Sequence, residues 1–178
     1  MMWGVMAVTA EDRTRVVFEL FDVDHSGYLE ESDFAAMSSR VEDVAQGSGS
    51  EAKEALRASF TKWWTTVERE LDTNRDGKVS YDEFTACVLT PEKFDDTVTD
   101  FADALSALGD PDGDGLIDRP LFTALMLAIG FSPTNVDALF DVFSPDAQDR
   151  ITVQIWRDGI VEYYHPTKSD VAGNYLVP

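Results

Sequence analysis

Three times along this chain, beginning at Asp22, Asp72 and Asp110, oxygen-bearing side chains alternate at the first, third and fifth places of a segment whose sixth residue is glycine. The three runs are Asp22, Asp24, Ser26, Gly27; Asp72, Asn74, Asp76, Gly77; and Asp110, Asp112, Asp114, Gly115. Short polar side chains favour turns over helix interiors, and glycine permits the left-handed backbone of a sharp bend. Each run must therefore be a curled loop whose oxygens face one point. A weaker copy begins at Ser144. Recurrence of one unit decides architecture before any local propensity does.

The flanking segments are helical. Val17, Phe18 and Phe21 follow Thr9, an N-cap with Glu11 and Asp12 in the first turn. Phe34, Met37, Val41 and Val44 mark a second helix that stops before the linker Gln46-Gly47-Ser48-Gly49-Ser50, which also widens the first interval between loops. From Glu51 a long helix carries Leu56, Phe60, Trp63, Trp64, Val67 and Leu71, and Phe84 with Val88 begin another after the second loop. Thr90-Pro91 and Ser132-Pro133 each place a capping hydroxyl before a proline at the first helical position, and Gly130 closes the run Leu121 to Ile129. Eight helices in four pairs are predicted, divided as 1–89, 90–165 and a tail over 166–178. The tail holds Tyr175, Leu176 and Val177, too apolar for water, and is expected to pack across the domain and tie its halves together.

The second segment, Asp72 to Glu83, matches the twelve-residue EF-hand calcium loop at every position. Asp72, Asn74 and Asp76 supply oxygens, the Lys78 carbonyl adds one, Ser80 acts through water, and Glu83 on the exiting helix supplies two. Loop one, Asp22 to Asp33, offers Asp22, Asp24, Ser26, the Tyr28 carbonyl and Asp33, but aspartate at the last place is one methylene short. That shortening favours magnesium relative to calcium unless Glu30 compensates. Loop three, Asp110 to Leu121, offers Asp110, Asp112, Asp114, the Leu116 carbonyl and Asp118, with no acid at its end; water would fill the vacant place. The fourth, Ser144 to Ile155, lacks the first acid, the glycine and the last acid, and is expected to bind nothing and to support loop three through Ile151 opposite Ile117. Val79 is expected to bridge to the first loop in the same way. Two calcium sites and a third at loop three are expected, with Mg2+ as competitor.

Composition agrees. The 178 residues carry a formal charge of −20, and half of it resides in the first three loops. Such a field attracts cations and repels phosphate backbones, which excludes nucleic-acid binding, and no stretch is long enough to span a bilayer, which excludes membrane insertion. The apolar start, Met1 to Ala10, lacks the basic region of a secretory leader. The single Cys87 is read as a small core residue, and His25 as an exposed, non-ligating side chain. No Ser/His/Asp, Cys/His or phosphate-cradling constellation is present, so no catalysis is expected.

On these loops, the Trp63-Trp64 connection and the tail, the chain resembles the EF-hand superfamily, and within it the sarcoplasmic calcium-binding and calerythrin-like proteins. The resemblance implies an all-α fold: four EF-hand helix-loop-helix units in two paired halves, packed face to face in one compact globule with short β-bridges between paired loops. It implies an intracellular calcium buffer or signal modulator, here expected as a cytoplasmic monomer. The fourth loop is the dead one, whereas calerythrin-like proteins more often lose the second. A sensor that opens an apolar groove to a partner protein is the alternative, with Thr123 to Ile129 as groove lining. The calcium-activated photoproteins are similar too, through Trp156, Tyr164, His165 and Pro178, but a bulky aromatic core explains Trp156 without a chromophore.

Overall fold

Thr9 sets the first boundary. Its hydroxyl accepts from the Asp12 amide at 3.2 Å while the Asp12 carboxylate accepts from the Thr9 amide at 2.9 Å, a reciprocal cap that starts α1, Ala10–Phe21. The computed structural model describes residues 7–88, 91–165 and 170–178. After α1 come β1 (Tyr28–Leu29), α2 (Glu31–Val44), α3 (Ser50–Leu71), β2 (Val79–Ser80), α4 (Tyr81–Val88) and α5 (Pro91–Leu108). The second half continues through β3 (Leu116–Asp118), α6 (Arg119–Ile129), α7 (Pro133–Val142), β4 (Arg150–Thr152), α8 (Val153–Tyr163) and a 3-10 turn over Ala172–Leu176. The Ser132 hydroxyl accepts from the Asn135 amide at 3.4 Å, with Pro133 at the first helical position, and Gly130 ends α6 at φ 121°. The Thr90 cap, the side chain of Cys87, the first six residues and the start of the tail at Pro166 fall outside what the structure describes.

Paired loops are joined as their apolar eighth residues require. Leu29 pairs with Val79 and Ile117 with Ile151, each in a two-stranded antiparallel bridge. All four side chains are buried, so the bridges point inward and fix each pair of loops back to back.

The spine is α3. Adjacent residues on a helix diverge by about 100°, so Trp63 and Trp64 cannot share one face and α3 must be covered on two sides. Trp64 meets Phe34 of α2 at 5.6 Å between ring centres. Trp63 meets Phe21 at 6.1 Å, Phe101 of α5 at 6.1 Å and Tyr164 at 5.4 Å. Trp63 and Phe60 thus join the two halves, with Thr66 and Thr97 hydroxyls 2.9 Å apart beside them. Ser48 of the linker donates to the Leu108 carbonyl at 2.8 Å, a contact that flexible linker composition did not foretell. Val44, counted in the apolar pattern of α2, is 39% exposed because the helix ends there and its last turn leaves the core.

The tail packs on α7 and α8 with Val171 and Leu176 buried. Gly173 lies so close to the Tyr163 ring that a Cβ there would overlap it. Gly173→Ala is expected to cost about 1–3 kcal/mol through that overpacking, measured as a lower midpoint of thermal unfolding monitored by circular dichroism.

Candidate metal centres

Each acidic loop is shaped first by its own backbone. In loop one the amides of Ser26 and Gly27 donate to the two oxygens of Asp22, both at 2.9 Å, and Ser26 N–H also reaches Asp24 at 3.1 Å. Loop two repeats this, with Asp76 and Gly77 amides on Asp72 at 3.1 and 2.9 Å and the Lys78 amide on Asp76 at 3.0 Å. Loop three does so again through Asp114 and Gly115 amides on Asp110, at 3.1 and 2.9 Å, and the Leu116 amide on Asp114 at 2.9 Å. The sixth residue is left-handed in all four loops: Gly27 at φ 85°, Gly77 at 77°, Gly115 at 82° and, without a glycine, Asp149 at 61°. Loop four therefore keeps the bend whose glycine it lacks. His25 is exposed.

Among the described residues, two sets of three carboxylates present oxygens within 4.8 Å of one another: Asp22, Asp24 and Asp33, and Asp110, Asp112 and Asp114. Loop two, the fullest match in sequence, is not among them; its third place is the amide of Asn74, whose Nδ2 donates to Asp76 at 3.2 Å. Like charges so close are costly unless a cation or enough N–H groups face them. Asp33, on the first turn of α2 and 2% exposed, accepts from the Val23 amide at 3.1 Å and the Glu30 amide at 2.9 Å. Burial raises its pKa against those bonds, and Asp24 and Asp22 add to the rise. The Asp110 carboxyl is likewise raised by burial, while the Asp114 amide leads in lowering Asp112.

Glu83 provides the sharpest test of fit to a cation. Its amide donates to the Ser80 hydroxyl at 3.2 Å, and its Oε2 is buried with no hydrogen-bond partner. A carboxylate oxygen withdrawn from water without a donor fits a hard cation as its missing counterpart. The Ser26 hydroxyl bonds the Tyr28 carbonyl at 3.0 Å, placing two candidate donors of loop one side by side. Glu30 is not gathered with the other acids of loop one; it lies 3.9 Å from Lys78 Nζ of the paired loop. Leu121, where loop three would need its last acid, packs against the core instead.

Two arginines meet loop four in roles the sequence reading missed, Arg150 from within it and Arg119 from the end of loop three. Arg150 Nη2 lies 3.3 Å from both Asp146 Oδ2 and Gln148 Oε1. Arg119 reaches Asp149 at 2.7 Å, Asp141 at 2.6 Å and Asp137 at 3.1 Å, and its guanidinium carbon sits 4.4 Å from the Phe140 ring centre. These aspartates raise the Arg119 pKa, and Arg119 lowers that of Asp149. An arginine at the seventh place, where only the carbonyl ordinarily matters, was the available signal.

Residues 11–89 match the family described as an EF-hand domain pair. The chain is 27% identical over 143 residues to sarcoplasmic calcium-binding proteins II, V, VI and VII of Branchiostoma lanceolatum, covering 75% of this chain and 77% of that one. Its fold resembles that of a Streptomyces coelicolor calcium-binding protein with a TM-score of 0.72 at 19% identity, over 89% of this chain and 99% of the other. The photoprotein clytin superposes with a TM-score of 0.72 at 13% identity, over 95% and 94%. Residues 11–89 are thus an EF-hand domain pair, and with curled acidic loops, eight helices and two β-bridges among its described residues the chain is similar to the sarcoplasmic calcium-binding proteins.

Proposed function

We propose that the protein is an intracellular calcium buffer or signal modulator, with Ca2+ held in loops 22–33, 72–83 and 110–121 and Mg2+ competing. The observation that carries this is the buried Oε2 of Glu83, an anionic oxygen with no partner at the last place of a loop already curled by its own amides. Asp22, Asp24, Ser26, the Tyr28 carbonyl and Asp33 would hold the first ion. Asp72, Asn74, Asp76, the Lys78 carbonyl and Glu83 would hold the second, and Asp110, Asp112, Asp114 and the Leu116 carbonyl the third. Each side chain acts as a ligand, and bound dications would offset much of the loop charge. The chain belongs to no membrane in this reading, and no helix among the described residues is long and apolar enough to cross one.

A buffer is favoured over a groove-opening sensor by the aromatic interior. Trp63, Trp64, Phe101, Leu125, Met126 and Trp156 are each at most 6% exposed, and Phe122, Leu125, Met126 and Ile129 turn most of α6 inward. The small interior cavity counts against a photoprotein's chromophore site. The apolar cavity between the halves, bordered by Phe60, Phe101, Met126, Phe143, Trp156 and Tyr164, offers about 60 Å3, whereas small-molecule sites run to about 300–1,000 Å3.

Calorimetric titration of the chelator-stripped protein, with and without millimolar magnesium, tests this. Uptake of two or three calcium ions, weakened by magnesium and with no gain in dye-accessible apolar surface, is expected. Uptake indifferent to magnesium with new dye binding would replace the buffer by a sensor, and no uptake would overturn calcium binding itself.

A further inference from the structure

We propose that Arg150 is a resident cation of the fourth loop that lowers the calcium affinity of the third. The inference rests on the calcium-binding reading above. In the three acidic loops the third and fifth side chains converge on the place an ion would take. In loop four those side chains are Asp146 and Gln148, and the guanidinium of Arg150 bonds both, at 3.3 Å each. The Asp146 Oδ1 meanwhile accepts from the Gln148 amide at 2.9 Å and the Arg150 amide at 3.0 Å. Loop four therefore has the curled form of its relatives with a side-chain cation at its centre.

The same guanidinium faces the neighbouring loop. Its Nη1 lies 4.0 Å from Asp114 Oδ2, and Asp114 is one of the three acids gathered in loop three. Pairing of Asp118 with Arg150 in the β3–β4 bridge fixes this position, and the Arg150 Nε is buried without a partner, so the head group sits in the seam between the loops. A dication in loop three would share Asp114 with this positive charge and be repelled by it. The first pair repeats the arrangement: Lys78, also at the seventh place of the second loop, lies 3.9 Å from Glu30 of the first. Arg119 holds the sixth residue of loop four through Asp149, so loop four is anchored from both sides and cannot swing Arg150 away without breaking that pair.

The test places Arg150→Gln in a background of Asp33→Asn and Glu83→Gln, which silences the first two loops, and titrates calcium into loop three alone. Removal of one positive charge beside a partly exposed dication site should tighten binding about 10-fold, and Arg150→Lys should leave it within about threefold. The ion-free protein supplies an independent readout: in chelator, Arg150→Gln should melt below wild type because loop four loses its cation, and Arg150→Lys should fall between. If that doubly silenced background does not fold, the same titration on the otherwise unaltered chain reads the weakest site. Unchanged or weaker binding at loop three, with loops one and two of the chain that lacks the silencing substitutions still taking up calcium, would overturn this inference alone. Loss of uptake at every loop would instead sink the calcium-binding reading, and this inference with it.

Discussion

Glu83→Gln should remove one calcium ion from the stoichiometry and leave the fold standing. The glutamate stands at the last place of loop two, on the exiting helix, so it would close the shell that Asp72, Asn74 and Asp76 open from the other side. Its Oε2 is buried and unpartnered, so in the ion-free protein the carboxylate bears a desolvation cost that an amide bears less. The variant should therefore melt at or slightly above wild type in chelator, while affinity at this loop falls about 100-fold or more, given that even outer-shell partners cost about 10- to 100-fold. Calorimetry in calcium and thermal unfolding in chelator measure the two effects separately. A variant that melted well below wild type without calcium would show that Glu83 holds the fold rather than the ion.

Arg13→Ala should be the most destabilising single change on α1. The side chain is 0% exposed and donates to the Tyr163 carbonyl at 2.7 Å, the His165 carbonyl at 3.1 Å and Asn174 Oδ1 at 3.0 Å. The Tyr163 hydroxyl returns a bond to the Arg13 carbonyl at 2.9 Å. One guanidinium thereby fastens the end of α8 and the tail to the first helix, across 150 residues of sequence. Its truncation strands several buried acceptors at once and costs about 3–5 kcal/mol. A protein of this length should lose about 6–20 °C in melting midpoint, and limited proteolysis should open the tail first. Arg13→Lys keeps the charge but not the fork, so it should recover part of the loss. Burial also raises the pKa of the neighbouring phenols of Tyr163 and Tyr164.

The loops were legible because their chemistry is local. Ligand spacing, the left-handed sixth residue and the apolar eighth residue all act within twelve positions, so Asp22, Asp72 and Asp110 announce the loops, and Val79 and Ile151 announce their partners. The caps at Thr9 and Ser132 were legible for the same reason. The approach of Glu30 to Lys78 was not legible because Lys78 belongs to another loop. That loop four keeps its bend without a glycine was not legible, since Asp149 adopts it while Arg119, from another loop, holds its carboxylate.

By itself the sequence determined four helix-loop-helix units, their pairing and the oxygens gathered in the acidic loops, since each depends on residues a few places apart. Tertiary structure alone decided which rings cover the two adjoining sides of α3 that Trp63 and Trp64 present, that Arg13 secures the tail, and that Arg150 lies between two loops. Long side chains find partners according to which elements lie side by side after folding. That adjacency is set by burial of the whole aromatic interior and leaves no periodic mark along the chain.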